Sequence, residues 1–274
     1  KGLGMILICG VLADAMTELM CARLDDLGYP YLFLDQAQFP GRYDLTWELG
    51  ADGVQGSITS PEGVLDLSDL TGVYARYVSF KGGPERPEFS ELEKQMADAE
   101  YQLALMQLLE LLPCTVVNRA GTSVSNDSKI YQGFLAEEFG LLTPRTLATT
   151  DPEAARAFYE AQGGDIIYKS LSGVRSIVHR LTGEDLGERL ERVRNCPTQF
   201  QERIEGVDIR VHTVGDRVFP TEIHSEANDY RYARREGMGI TLEETEIPDT
   251  VAQSCLSMAR TLGLHLSGVD LRRT

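Results

Sequence analysis

Asp208 and Arg210 are the pair of residues whose types and spacing most clearly suit chemistry. They lie in residues 200–216, a segment whose pattern predicts a short strand, a break at Gly206 and then a second strand. Because side chains two positions apart on a strand leave the same face, this acid and this base project together. Such a pair suits a ligand that carries both hydroxyl groups and phosphates.

Two lysines that precede this pair also suit phosphate binding. Lys129 stands at the start of a predicted helix, and Lys169 ends a strand predicted over residues 165–169. Ser172 and Gly173 follow in a loop of small residues, whose backbone N–H groups can cradle an anion. Taken singly, each lysine could equally be a solvated residue at the end of a helix or strand. The Asp–Arg pair could equally be a surface ion pair between strands.

The elements that must position these residues predict a mixed α/β (α+β) protein. A strand, a helix and a second strand are predicted over residues 5–35, and their lengths imply a parallel pair with a crossover helix. Short alternating segments between residues 45 and 80 are interpreted as the rest of this sheet. A long helix is predicted over residues 88–112, where Pro113 ends it. The first loop lacks Gly-x-Gly-x-x-Gly, which argues against a Rossmann dinucleotide site.

The composition is that of a soluble globular protein with two or three subdomains. The 274 residues are 42% hydrophobic and 25% charged, and no apolar run reaches the roughly 18 residues that span a bilayer. A net charge of −16 argues against a nucleic-acid partner, which requires clustered Lys and Arg. It does not exclude ATP, because a pocket can concentrate basic side chains within an acidic protein.

The cysteines and histidines predict neither a disulfide framework nor a zinc site. There are five cysteines without a Cys-x-x-Cys pair and four histidines without a metal-binding spacing. Most of the cysteines lie in apolar contexts, as reduced thiols do in cytosolic proteins. We therefore expect a cytoplasmic protein that contacts no membrane and no nucleic acid.

Several segments, taken in chain order, resemble the motifs of the ATP-grasp ligases. They are Asn126-Asp127-Ser128-Lys129, Thr143-Pro144-Arg145-Thr146, residues 166–173, Gln201-Glu202-Arg203-Ile204, Asp208-Ile209-Arg210, Asn228-Asp229-Tyr230-Arg231 and Gly268-Val269-Asp270. The resemblance is closest to RimK-type glutamate ligases and to microviridin-type ribosomal-peptide maturases, the graspetide macrocyclases. It implies a small parallel-sheet domain over residues 1–115, followed by ATP-grasp subdomains over 116–197 and 198–274.

The resemblance also implies ATP and Mg²⁺ as cofactors and a role for each motif residue. Nucleotide binding would fall to Lys129, Lys169, Ser172, Gly173, Gln201, Glu202, Arg203, Ile204 and Asp208. In this scheme the lysines and the small-residue loop meet the phosphates, residues 201–204 form the hinge under the adenine, and Asp208 accepts the ribose hydroxyls. Arg210 and Arg231 would be the catalytic residues that face the acyl phosphate or substrate carboxylate. Asp270 would bind magnesium.

The implied activity is ATP-dependent ligation of a carboxylate to an amine or a hydroxyl through an acyl phosphate, with a peptide as substrate. In the family, a Glu-x-Asn pair about a dozen residues beyond the position of Asp270 completes the metal site, and the sequence ends at Thr274, before that position. Either the natural chain continues or the metal site is incomplete. The second alternative keeps open a non-catalytic nucleotide- or peptide-binding protein on the same fold. The acyl donor, the acceptor and assembly as a homodimer also stay open.

Overall fold

The computed structural model describes residues 4–77, 87–123, 128–171, 177–225, 237 and 239–274. The chain forms two compact units, Lys1–Thr122 and Ser123–Thr274. The division at residues 115 and 197 stays a prediction. No helix among the described residues is both long and apolar enough to cross a membrane.

The first unit contains two sheets and two long helices. Its elements are β1 (Met5–Gly10), α1 (Ala15–Leu27), β2 (Tyr31–Asp35), β3 (Asp44–Gly50), β4 (Gly53–Ser60), β5 (Gly63–Asp66), β6 (Leu70–Ala75), α2 (Glu91–Leu111) and β7 (Thr115–Val117). Strands β2-β1-β6-β7 form a parallel sheet in that order. The predicted parallel pair β1–β2 with its crossover helix is therefore present.

Residues 44–66 do not belong to this parallel sheet, so the interpretation of residues 45–80 as its continuation was wrong for most of that range. Strands β3, β4 and β5 instead form a separate antiparallel sheet. Only two residues separate each strand from the next, and connections that short join antiparallel neighbours. Within this range only β6 joins the parallel sheet.

Local capping residues fix the ends of both long helices. Asp14 caps α1, and Gly28 ends it in the left-handed conformation that glycine favours. Helix α2 begins with a reciprocal capping box between Ser90 and Glu93. Its buried residues, Leu105, Leu108 and Leu109, join the main core of the unit with residues of β1, β6 and β7.

The described residues of the second unit form two four-stranded antiparallel sheets. A short helix, α3 (Ala120–Ser123), spans the boundary between the units. Then follow α4 (Lys129–Glu138), β8 (Thr146–Thr149), α5 (Pro152–Ala161), β9 (Ile166–Ser170), β10 (His179–Leu181), α6 (Glu188–Glu191), β11 (Thr198–Glu202), β12 (Val207–Val214), β13 (Arg217–Ser225), β14 (Ile240–Glu244), α7 (Asp249–Thr261) and β15 (Leu266–Arg273). The strand orders are β10-β9-β11-β8 and β14-β13-β12-β15. Among the described residues, short 3₁₀ segments lie at Gln36–Gln38, Leu67–Asp69, Gly183–Leu186 and Arg192–Asn195.

Each sheet of the second unit buries one face and turns polar side chains to the other. In the first sheet, Phe200 of β11 is 1% exposed and packs with Ile166 of β9 and Ala155 of α5. In the second sheet, Ile209 and Val211 of β12 pack with residues of α7. Because side chains alternate along a strand, the residues next to these core positions point to the opposite faces. Lys169, Gln201, Asp208, Arg210 and Asp270 lie there.

Candidate functional site

Lys169, Gln201 and Thr146 form a hydrogen-bonded row on the polar face of the first sheet. Gln201 lies directly opposite Thr146 of β8, and Lys169 lies opposite Gln199, two residues earlier on β11. Lys169 Nζ donates to Gln201 Oε1 at 3.0 Å, and Gln201 Nε2 donates to Thr146 Oγ1 at 2.9 Å. The threonine thus orients the amide, and the amide oxygen holds the ammonium group on this face.

Lys129 reaches the same end of β9 from a different element. It is the first residue of α4, whose N-cap is Ser128. Its Nζ donates to the carbonyl oxygen of Ser170 at 2.9 Å, and Ser170 follows Lys169 directly. Two lysines that are 40 residues apart in sequence are therefore both held along β9, an arrangement that suits a polyanion such as a phosphate chain.

The segment after β11 is held by ion pairs rather than by apolar packing. Arg203 Nε donates to both oxygens of Asp165, at 2.8 and 3.1 Å, and its guanidinium also pairs with Glu205. The Arg203 contact holds the pKa of Asp165 below its usual range. The backbone N–H of Glu202 donates to the carbonyl of Arg145 at 2.9 Å. These contacts fix the course of the residues predicted to lie under the adenine.

The polar face of the second sheet carries four charges in a reciprocal arrangement. In the β12–β15 register, Asp208 lies opposite Arg272, and Arg210 lies opposite Asp270. Arg210 Nη1 donates to Asp270 Oδ1 at 2.7 Å, while Arg272 Nε and Nη2 donate to Asp208 Oδ1 at 2.9 and 2.6 Å. Each acid thus faces a base across the strand pair, and Asp208 and Arg210 do share one face as predicted.

Gly268 gives the guanidinium of Arg210 the space that it occupies. A Cβ atom on Gly268 would lie 2.2 Å from Nη2 and 2.5 Å from Cζ of Arg210, closer than real Cβ contacts come. The glycine of the Gly-x-Asp segment therefore lets Arg210 lie across β15 and reach Asp270. His212 lies opposite Gly268, and burial, followed by the nearby charge of Arg210, lowers the pKa of His212.

The structure brings six of the twelve predicted site residues to the polar sides of the two sheets of one unit. Lys129, Lys169 and Gln201 meet at the first sheet, and Asp208, Arg210 and Asp270 meet at the second. The Arg203 guanidinium is bound to Asp165 and Glu205, and its predicted nucleotide role remains a prediction, as do those of Glu202 and Ile204. Ser172, Gly173 and Arg231 lie outside the described residues.

Arg272 is the residue that sequence reasoning missed. It makes two hydrogen bonds to Asp208, and its Nη1 donates to the carbonyl oxygen of Ile204 at 2.8 Å. The available signal was its position two residues after Asp270 on a predicted strand, which places both side chains on one face.

Asp270 fits a magnesium ion as one ligand among several. Its carboxylate is about half exposed, with 54% of the side chain accessible. The described residues contain no cluster of three or more His, Cys, Asp or Glu side chains placed to hold a metal. Magnesium, however, is commonly bound by one or two carboxylates together with substrate phosphates and water. A single exposed carboxylate is compatible with that pattern.

Comparisons with known proteins identify one curated relative by sequence. No model of a known protein family matches the sequence. A probable alpha-L-glutamate ligase of Cellvibrio japonicus is 25% identical over 182 residues, which is 64% of this chain and 60% of that relative. The alignment thus spans about three fifths of the length of the curated relative.

Solved structures match nearly the whole chain. Macrocyclase MdnC of Microcystis aeruginosa MRC, bound with precursor peptide MdnA, superposes with a TM-score of 0.80 at 24% identity, over 98% of this chain and 87% of its own. ATP-grasp ligase PsnB, complexed with a minimal precursor, Mg and ADP, superposes with a TM-score of 0.74 at 28% identity, over 97% and 84%. The chain has the ATP-grasp fold, and both the predicted α/β class and the predicted resemblance to ATP-grasp ligases are confirmed.

Proposed function

We propose that the chain is an ATP-dependent ligase that activates a carboxylate as an acyl phosphate and joins it to an amine or hydroxyl, with a peptide as substrate. The observation that carries the proposal is that Lys129 and Lys169 are both held by hydrogen bonds along β9, Lys129 at the Ser170 carbonyl and Lys169 at the amide of Gln201. In a chain with a net charge of −16, two lysines placed along one strand are suited to binding an anion.

The site residues divide the work of binding between the two sheets. Lys129 and Lys169 hold the phosphates, residues 201–204 line the base, and Asp208 accepts a ribose hydroxyl. Asp270 is the residue that would hold magnesium, which when bound neutralises phosphate charge. Arg210 receives the carboxylate to be activated, because a planar guanidinium binds a carboxylate through two parallel hydrogen bonds.

The reaction proceeds in two displacements. An oxygen of the substrate carboxylate attacks the γ-phosphorus of ATP, the bond to the bridging β–γ oxygen breaks, and ADP leaves. The amine nitrogen or hydroxyl oxygen of the acceptor then attacks the acyl carbon, loses its proton, and inorganic phosphate leaves. The basic side chains stabilise charge on the transferring group, and neither displacement requires a covalent protein nucleophile.

A peptide substrate is supported by the structural neighbours rather than by the site alone. MdnC and PsnB were both solved with precursor peptides, and PsnB also with Mg and ADP. The similar protein from Cellvibrio japonicus is named as a probable glutamate ligase. Addition of single amino acids belongs to the same reaction class as ligation within a peptide. Whether the product is an amide or an ester depends on whether the acceptor is an amine or a hydroxyl.

The experiment is a calorimetric titration of the purified chain with ATP and MgCl₂, with Lys169→Ala as the test variant. Loss of a phosphate-facing charge should weaken ATP binding about tenfold or more. Lys94→Ala is the matched control, because Lys94 lies on α2 and pairs with Glu91 on the surface. Unchanged ATP affinity in Lys169→Ala would refute the proposed nucleotide site.

Turnover separates a ligase from a protein that only binds. Release of ADP and phosphate is measured with a synthetic peptide that carries Glu, Lys and Thr side chains, and with hydroxylamine as a trap for an acyl phosphate. The peptide should lose the mass of one water when it is cyclised, or form a hydroxamate with the trap. ATP binding without either product would instead support the non-catalytic alternative.

A further inference from the structure

Arg272 makes three side-chain hydrogen bonds that link two separate parts of the site. Its Nε and Nη2 donate to Asp208 Oδ1 at 2.9 and 2.6 Å, and its Nη1 donates to the Ile204 carbonyl at 2.8 Å. All three guanidinium nitrogens are thus engaged. About a third of the side chain, 34%, stays exposed, so the group lies at the surface of the site and is not part of a sealed core.

The backbone is shaped for this contact. Between Ile204 and Asp208 the chain passes Gly206, whose φ of +149° favours glycine. A Cβ there would lie 2.2 Å from the carbonyl oxygen of Arg273 and 3.0 Å from Cγ of Arg272. The connection between β11 and β12 therefore lies directly against the end of β15. This close backbone approach brings the Arg272 side chain to the connection.

The pattern of donors on Asp208 is one-sided. Both hydrogen bonds from Arg272 fall on Oδ1, so neither of them occupies Oδ2. An ionised carboxylate accepts hydrogen bonds through both oxygens and donates none. Oδ2 is therefore suited to a hydroxyl donor, whereas a phosphate or a carboxylate would be repelled.

We propose that Arg272 is a positioning residue for nucleotide binding. It holds Asp208 so that Oδ2 accepts a hydroxyl of the nucleotide ribose, and it ties that carboxylate to the Ile204 carbonyl of the segment that lines the base. The inference rests on the proposed function. It assigns one chemical group of the ligand, the vicinal ribose diol, to one atom of the protein, Oδ2 of Asp208.

The test compares ATP with 2′,3′-dideoxy-ATP, which keeps the base and phosphates but lacks both hydroxyls. The unmodified chain should bind ATP about tenfold more tightly than the dideoxy compound, because a hydrogen bond to a charged acceptor is of that size. In Arg272→Met, ATP affinity should fall by about the same factor while dideoxy-ATP affinity changes little, so the ratio approaches one.

Arg273→Met is the matched control. Arg273 is the next residue of β15, and its guanidinium also pairs with a carboxylate, that of Glu222, on the opposite face of the sheet. This variant should keep the ratio between the two nucleotides. Should Arg272→Met fail to fold, Arg272→Lys makes the same comparison, because a single ammonium cannot reproduce the planar contact with Asp208 and Ile204 together.

The outcomes are distinguishable. An equal loss of affinity for both nucleotides in the Arg272 variant, or no loss for either, would overturn the positioning role. An unmodified chain that binds ATP but does not distinguish the dideoxy compound would overturn it as well, while leaving the proposed ligase function standing. An unmodified chain that binds neither nucleotide would remove the proposed function and this inference together.

Discussion

Gly268→Ala should impair ligation while leaving the fold intact. The added Cβ would lie 2.2, 2.5 and 2.7 Å from Nη2, Cζ and Nε of Arg210, so the two groups cannot coexist in their present positions. All three atoms belong to the end of a flexible side chain. The guanidinium will therefore move and lose its contact with Asp270, while β12 and β15 keep their register.

The expected effect on stability is small because two contributions oppose each other. The Arg210–Asp270 pair is 31% and 54% exposed, and pairs of that kind contribute about 0.2–1 kcal/mol. Replacing glycine by alanine on a compatible backbone stabilises by about 0.4–1 kcal/mol through the unfolded chain. The free energy of unfolding, measured in urea, should therefore change by less than about 1 kcal/mol.

The effect on ligation should be much larger. A displaced Arg210 no longer presents its guanidinium to the substrate carboxylate, and a charged hydrogen bond is worth about 1.5–3 kcal/mol, or roughly ten- to hundredfold in kcat/KM. ATP affinity should change by less than about threefold, because Lys129 and Lys169 are not altered. Gly72→Ala on β6 is the control, since its Cβ would meet nothing closer than 3.8 Å. Normal ligation by a folded Gly268→Ala variant would refute the assigned position of Arg210.

Three further predictions follow from single residues. Gln199 is 2% exposed and its Oε1 has no hydrogen-bond partner among the described residues, so Gln199→Leu should be neutral or stabilise by about 1 kcal/mol in urea unfolding; a loss of several kcal/mol would show that the amide is bonded. Arg76 lowers the pKa of Asp14 from 3.8 to about 2. The ion pair therefore stabilises the folded chain above pH 3.8, and this stability is lost as the pH falls toward 2. Asp14→Asn should flatten that decline, and an unchanged acid profile would contradict the assignment. Asp270→Asn should leave the circular dichroism spectrum unchanged and abolish magnesium-dependent turnover, because a neutral amide binds Mg²⁺ poorly, and full activity would exclude Asp270 as a metal ligand.

Local signals account for the parts of the fold that the sequence predicts well. Asp14 and Gly28 mark the ends of α1, and their effect depends only on residues within one helical turn. The alternation around Asp208 and Arg210 likewise places both side chains on one face of β12, because the two-residue period is a property of any strand. Candidate site residues on such elements could be named before their surroundings were known.

The same alternation does not reveal which strands are neighbours, and the error over residues 44–66 was to assign it to a parallel sheet. Alternation over residues 44–66 is typical of antiparallel strands with one exposed face, whereas strands of a parallel sheet are buried on both faces and read as near-continuous apolar runs. The deciding feature was the two-residue connections before β4 and β5, which permit only antiparallel hairpins.

Tertiary structure alone decided the partners of the site residues. Arg272 meets Asp208 across 64 positions of sequence, and Arg210 meets Asp270 across 60. A shift of one residue in the β12–β15 register would send these side chains to opposite faces, and that register depends on core packing along the whole strand pair. The sequence by itself thus determined which side chains share a face of each strand. The fold determined which acid meets which base, because hydrogen bonding between distant strands is set by the packing of the complete sheet.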